Sequence, residues 1–167
     1  MDLLTEFGAA LWFILPAYFA SISPVWFRLE GKTPIDFGRK FRGKPIFGMT
    51  KTYRGFFGGA LCGTILGLMQ QLCFDKPNGL LLGLLLGFGA MTGDLIKSFF
   101  KRQLSIKSGE RFFPFDQIDF LCGALVFASV IETPTILGLL FLFVITPPLH
   151  VLSNIADYKA GLKEVPH

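Results

Sequence analysis

At 167 residues the chain has room for one domain, and residues 1–167 read as a single unit. Half of it is hydrophobic (51%) and only 17% is charged, against roughly 25% charged in a typical soluble protein; a soluble fold this small cannot hide so much apolar surface, so the bilayer is the expected solvent. The net charge of +4 would suit nucleic acid, but the basic residues fall in two segments between apolar runs and not along one amphipathic face, which argues against a nucleic-acid partner.

About 20 apolar residues cross a bilayer as a helix, within a range of roughly 17–25. Five segments qualify or nearly qualify, which predicts an all-α integral membrane fold with about five transmembrane helices. The first covers 3–22; Glu6 sits near one end and Pro16 predicts a kink. The chain starts Met1-Asp2 without a basic leader, so no cleaved signal peptide is expected. The second, 55–74, carries glycines that permit close helix packing. The third, 79–100, is apolar until Asp94, Lys97 and Ser98 interrupt it. The fourth, 117–132, is short. The fifth, 134–155, contains Pro147 and Pro148, a pair expected to break or kink the helix and to leave its last turns as a separate piece. No internal repeat is visible. Cys62, Cys73 and Cys122 lie in apolar surroundings without CxxC spacing and read as small buried hydrophobes. His150 and His167 are far apart in sequence, and no zinc motif is present.

Orientation follows the Lys/Arg bias. The loop after the first segment holds Arg28, Lys32, Arg39, Lys40, Arg42, Lys44, Lys51 and Arg54. The loop after the third holds Lys97, Lys101, Arg102, Lys107 and Arg111, and the tail adds Lys159 and Lys163. The other side has Lys76 with Asp2, Glu6, Asp75 and Glu132. The expectation is an outside N-terminus, a cytoplasmic C-terminus and two basic cytoplasmic loops, in a multi-pass protein of the cell membrane.

Three carboxylates stand apart from the rest. Asp94 interrupts an apolar helix, where an acid is costly and marks a functional site by default. Asp116 and Asp119 open the fourth segment at i,i+3 and share a helix face. All three are expected at one depth, and carboxylates gathered without histidines favour a hard cation such as Mg²⁺. The structural alternative stays open at this point: Asp94 pairs with Lys97 or Ser98 and merely holds helices together, and Asp116 caps the fourth helix.

Basic residues form a second constellation. Ser98, Lys101 and Arg102 follow Asp94 along one helical extension, with Lys107 and Arg111 beyond. In "GKPIFGMTKTYRGFFGG", Lys51, Thr52 and Arg54 precede a Gly-rich helix start, whose free N–H groups suit an anion, and Lys44 lies just upstream. Together they describe a phosphate-binding surface beside a metal site, although each cation by itself could serve topology or contact anionic lipids. No GxxxxGK[ST] or GxGxxG motif and no Ser/His/Asp arrangement is present. Metal-assisted phosphoryl chemistry fits what remains.

The stretch "GDLIKSFFKRQLSIKSGERFFPFDQIDF" resembles the corresponding part of the CDP-archaeol synthase family, archaeal membrane enzymes related to CTP:phosphatidate cytidylyltransferases. "GKTPIDFGRKFRGKPIFGMTKTYRGFFGG" is similar to that family's PID-x-G…F-x-G-x-PIFG…KT-x-RG block, and "PPLHVLSNIADYKAGLKEVP" to its ending, so the likeness covers most of the chain. In the wider cytidylyltransferase signature Ser98, Lys101 and Arg102 match S-x-x-K-R, and Asp116 and Asp119 match the closing aspartates. Gln117 replaces the Arg between those aspartates and the H-G-G element is missing, which favours the archaeal branch. Phe37 stands where the archaeal pattern has Gly, and His167 where it ends in an aromatic.

The resemblance implies that CTP and 2,3-di-O-geranylgeranylglycerol 1-phosphate react to CDP-archaeol and pyrophosphate. Under it Asp94, Asp116 and Asp119 hold one or two Mg²⁺ ions as metal ligands. Lys51, Arg54, Lys101 and Arg102 neutralise phosphate charge, Ser98 and Thr52 donate hydrogen bonds to phosphate, and Lys44, Lys107 and Arg111 add to the same surface. Asn154 or the backbone of the first loop contacts cytosine. The rival readings are a cytidylyltransferase for phosphatidate or another lipid phosphate and, outside the enzymes, a small transporter. Polar residues clustered at one end and the lack of repeated halves speak against the transporter. A CDP-alcohol phosphotransferase would need a D-x-x-D-G-x-x-A-R motif that the chain lacks.

Overall fold

A computed structural model of the chain describes residues 2–24, 33–107, 110, 112 and 115–161. Among these lie five helices, α1 (Leu3–Ile22), α2 (Tyr53–Phe74), α3 (Gly79–Gln103), α4 (Phe115–Ala128) and α5 (Ile136–Lys159), with a two-stranded hairpin, β1 (Lys40–Phe41) and β2 (Lys44–Pro45), before α2. Helices α1, α2, α3 and α5 are long and apolar enough to cross a membrane. Helix α4, with 14 residues, reaches only about 21 Å at 1.5 Å per residue, short of a hydrocarbon core of about 30 Å.

Between apolar helices in lipid, burial of hydrocarbon provides little drive, so backbone approach has to hold the bundle. Gly55, Gly59, Gly63 and Gly67 recur every fourth residue on α2, and Gly79, Gly83 and Gly87 do so on α3. A Cβ on Gly67 would stand 2.3 Å from the carbonyl oxygen of Gly79, and one on Gly63 2.8 Å from Cα of Gly87. The α3–α4 contact is equally close, with a Cβ on Gly123 falling 2.2 Å from the oxygen of Gly89. Helix α1 packs against the other four helices, burying Ile14, Ala17 and Ala20 among Leu86, Ala90, Leu121 and Leu142. Its polar ties include a hydrogen bond from Gln70 Nε2 to the oxygen of Trp12 (2.7 Å) and one shared by Tyr18 and Thr146 hydroxyls (2.8 Å).

The helices alternate in direction, so one end of the bundle collects the start of α1, the α2–α3 turn and the α4–α5 turn. Lys76 donates to the Glu132 carboxylate at 2.7 and 2.8 Å there, and Thr135 donates to Glu6. The hairpin, the start of α2, the end of α3 and the start of α4 form the opposite end. The hairpin turn is Arg42-Gly43, and both residues have positive φ (51° and 78°), as a two-residue type I′ turn requires.

Two expectations need correction. Pro147 and Pro148 do not split the last helix, which runs unbroken from Ile136 to Lys159. Their rings remove only the ladder bonds to residues 143 and 144, and the turns on either side keep their own. The cysteines are not buried: Cys73 and Cys122 are exposed and Cys62 is half-buried. A small bundle leaves much of its helix surface outside the protein core, and Leu72, Phe74 and Val126 near these cysteines are exposed as well.

Candidate active site

Helix α3 carries Asp94, Lys97 and Lys101 at i, i+3 and i+7, a spacing that puts them on one face. Helix α4 presents Asp116 and Asp119 from its first turn and a half. The two helices can face each other this closely because the crossing point is Gly93, where a Cβ would stand 2.2 Å from the carbonyl oxygen of Asp119.

The result is one connected charge network. Lys97 Nζ lies 3.1 Å from Asp94 Oδ1, 2.8 Å from Asp119 Oδ2 and 3.5 Å from Asp116 Oδ1. Lys51, from the loop before α2, donates to Asp94 Oδ2. Lys101 donates to Asp116 (3.1 and 3.3 Å) and to the carbonyl of Glu110 (2.5 Å). Three carboxylates and three ammonium groups therefore balance. Asp119 is the deepest member, its side chain only 6% exposed against 24% for Asp94. Asp119 Oδ2 meets Lys97 as an ion pair but is buried without an aligned hydrogen-bond donor among the described residues.

The loop presenting Lys51 is organised by Asp36, a residue of the PID motif to which sequence alone assigns no role. Its buried carboxylate accepts N–H bonds from Gly38 (2.9 Å), Phe47 (2.9 Å) and Gly48 (3.3 Å). Burial by itself would raise its pKa; those N–H donors outweigh it and hold the carboxyl below its usual 3.8. Ile35 N–H donates to the oxygen of Lys51 (2.7 Å), and Pro34 bridges Thr52. Thr52 then caps α2, its hydroxyl accepting from Gly55 N–H at 3.1 Å. Lys51 thus sits between a cross-linked loop and a capped helix start. The sequence cue for Asp36 is its Asx spacing to Gly38; the cue for Lys97 is its place between Asp94 and Lys101 on one face.

The remaining expected residues are placed unevenly. Ser98 is buried and donates to the Asp94 carbonyl (2.8 Å). Arg102 lies along Gly48, 3.6 Å from where that residue's Cβ would be. Lys44 Nζ donates to the carbonyl of Gln103 (2.5 Å) and so clasps the hairpin to the end of α3. Arg54 and Lys107 are exposed, and Asn154 is buried on α5. Arg111 and His167 lie outside the described residues, as do Arg28, Lys32 and Lys163. The structural alternatives set out above hold alongside the functional one for Asp94: it pairs with Lys97, and its carbonyl accepts from Ser98. Asp116 accepts the N–H of Phe112, upstream of α4, at 2.5 Å.

All-oxygen donors from three carboxylates suit Mg²⁺ by chemistry, and the unaligned Asp119 Oδ2 is an acceptor to spare. As arranged here the three surround an ammonium, and among the described residues no three acidic, histidine or cysteine side chains converge at metal-binding spacing.

The chain matches the family described as CarS-like CDP-archaeol synthase over residues 2–167. It is 48% identical to the CDP-archaeol synthase of Pyrococcus abyssi, over 94% of this chain and 96% of that one. This chain belongs to the CDP-archaeol synthase family. Other members reach 37% identity in Methanocaldococcus jannaschii, over 94% of this chain and 95% of the relative. A solved structure described as an intramembrane enzyme for archaeal membrane lipid biosynthesis superimposes with a TM-score of 0.78 at 30% identity, covering 87% of this chain and 92% of that one. With four helices of membrane-spanning length and that neighbour, the chain is a multi-pass membrane protein. The charge network of this CDP-archaeol synthase family member lies where α3 and α4, the family's GDL and FDQID segments in this sequence, cross.

Proposed function

We propose that the chain transfers CMP from CTP to the phosphate of 2,3-di-O-geranylgeranylglycerol 1-phosphate, leaving CDP-archaeol in the membrane and releasing pyrophosphate. The observation that carries the reading is the meeting of Asp94, Asp116 and Asp119 within 3.5 Å of one Lys97 ammonium, at one end of a bundle of this family.

An oxygen of the lipid phosphate attacks the α-phosphorus of CTP. The new P–O bond forms as the bond from that phosphorus to the bridging oxygen breaks, and pyrophosphate leaves with the electron pair. The nucleophile is already an anion, so no side chain has to remove a proton. Asp94, Asp116 and Asp119 would hold Mg²⁺, which supplies charge neutralisation and orientation for phosphoryl oxygens. Lys51, already beside Asp94, offers its remaining N–H donors to phosphate, and Lys101, whose ammonium meets Asp116 and the Glu110 carbonyl, adds positive charge at the same end with Arg54 and Arg102. Among the described residues the Thr52 hydroxyl only accepts, as the cap of α2, which leaves its proton to donate to phosphate. Ser98 is committed to the Asp94 carbonyl and acts by fixing that turn. Asn154 is a candidate for cytosine.

The site lies at the cytoplasmic face, supported by the Lys/Arg bias of the loops at this end and by the supply of CTP there; the N-terminus is then outside. The prenyl chains enter sideways against exposed apolar helix faces such as those of Phe57, Leu61 and Phe100. The test is pyrophosphate release from CTP with geranylgeranylated and with acyl glycerol phosphates, each with and without Mg²⁺. Release with the prenylated lipid and Mg²⁺ is expected; release with the acyl lipid alone would reassign the substrate to phosphatidate.

A further inference from the structure

The charge network contains one cation that all three carboxylates share. Asp94 has Lys51 as a second partner and Asp116 has Lys101, but among the described residues Asp119 has no cation other than Lys97 within ion-pair distance. The Lys97 side chain is 14% exposed and that of Asp119 6%, so water screens this contact poorly. A divalent ion arriving bare must therefore displace an ammonium that already neutralises its ligands. The displaced ammonium would have to settle in a wall where Lys51 and Lys101 are also positive. A divalent ion arriving with a nucleoside triphosphate brings the anion that can receive Lys97.

We infer that Lys97 is a built-in counter-ion that makes divalent-metal binding depend on the nucleotide. It weakens binding of the bare ion by stabilising the ion-free carboxylates, and it favours the ion that comes with phosphate. Coupling of this kind is reciprocal, so metal strengthens nucleotide binding to the same degree. The arrangement guards against idle loading of the site and keeps the deep Asp119 compensated between turnovers. Lys97 is thus a positioning residue for metal and nucleotide, not a ligand to either reacting phosphorus. The inference rests on the three carboxylates being the metal's holders.

The test uses the full-length protein in detergent micelles, with Mn²⁺ as the probe followed by electron paramagnetic resonance. Wild type is compared with Lys97→Met, with and without a CTP analogue carrying a methylene between the α- and β-phosphorus. Without nucleotide, Lys97→Met should bind Mn²⁺ about tenfold or more tightly than wild type, a factor within the usual span of coupling between sites. The analogue should then enhance bound Mn²⁺ less in the variant than in wild type; complexation by free nucleotide is the same for both and cancels. Metal-free Lys97→Met should also melt below wild type and recover with Mn²⁺. If Lys97→Met does not fold, Lys97→Gln, neutral and able to donate to the carboxylates, should shift Mn²⁺ affinity in the same direction. Equal or weaker binding of bare Mn²⁺ by the neutral variants overturns this inference alone. No Mn²⁺ binding in any of the proteins, even with the analogue, overturns both it and the reading of the three aspartates as metal holders.

Discussion

The backbone of Gly93 rests against the carbonyl of Asp119 so closely that a Cβ would stand 2.2 Å from its oxygen. This contact sets the distance between α3 and α4, and with it the distance between Asp94 and Asp119. The obstacle is backbone and cannot swing aside as the end of a flexible side chain could. Gly93→Ala should push α4 outward and open the network around Lys97. Since a displacement of about 1 Å can cost on the order of a hundredfold in rate, turnover should fall about that far. Circular dichroism should show the helical content retained; a Gly93→Ala protein with normal turnover would show that the α3–α4 spacing does not govern the chemistry.

Asp94→Asn, Asp116→Asn and Asp119→Asn should each cut turnover severely while the protein still inserts and purifies. Removing one carboxylate leaves Lys97 with two others, but Asp94→Asn also takes the carboxylate of Lys51 and Asp116→Asn that of Lys101, so these two variants should lose more stability than Asp119→Asn, up to the about 3–5 kcal/mol of a broken buried pair. Rates measured over a Mg²⁺ titration at saturating CTP decide the roles. A variant that retains near-normal turnover there is not an essential ligand. Chelation of divalent ions from the wild type should abolish turnover, and added Mg²⁺ should restore it.

Asp36 makes loop stability depend on pH. Its folded-state pKa is depressed by the N–H donors of Phe47, Gly38 and Gly48, so in acid the unfolded chain takes up the proton first. The contribution is present in full above the unfolded value of 3.8 and is lost as pH falls through the lowered folded value. Asp36→Asn should melt below wild type near neutral pH, by about 1–3 kcal/mol as expected for a charged acceptor. The two melting curves should approach each other below about pH 4. Because the same loop presents Lys51, KM for CTP should rise in the variant. A constant gap between the curves from neutral pH down into strong acid would remove the carboxylate from this role.

Phe37 adopts φ of 51°, a left-handed conformation that costs a residue with a Cβ roughly 1–2 kcal/mol. A Gly there, as in the pattern the sequence resembles, would carry no such cost. Here Phe37 recovers part of the cost against Tyr53, ring centroids 5.2 Å apart. Phe37→Ala loses the ring contact and keeps the strain, whereas Phe37→Gly loses the contact and the strain together. The Gly variant should therefore unfold at a higher temperature than the Ala variant, by about 1 kcal/mol in stability. The reverse order in thermal denaturation would place the cost elsewhere.

Much of the architecture was written in local pattern. Length and hydropathy marked all five helices, since a bilayer imposes its thickness on each segment separately, and α1 was read to its observed limits, Leu3–Ile22. The glycine spacing on α2 announced close packing, and Asp94, Asp116 and Asp119 stood out because acids at such places are costly. Local pattern misled at Pro147 and Pro148, where a helix loses two bonds and still continues, and at the cysteines, whose burial depends on which face meets lipid. Only the tertiary structure decided who shares whose charge. The order of residues offers a pairing of Asp94 with Lys97, but not that Lys97 also meets Asp116 and Asp119, that Lys51 reaches Asp94 across 43 positions, or that Lys44 is spent on the end of α3. Hydropathy and helix spacing are properties of neighbours along the chain, whereas an ion pair between helices depends on how close two backbones come, and here that was set by glycines meeting carbonyls.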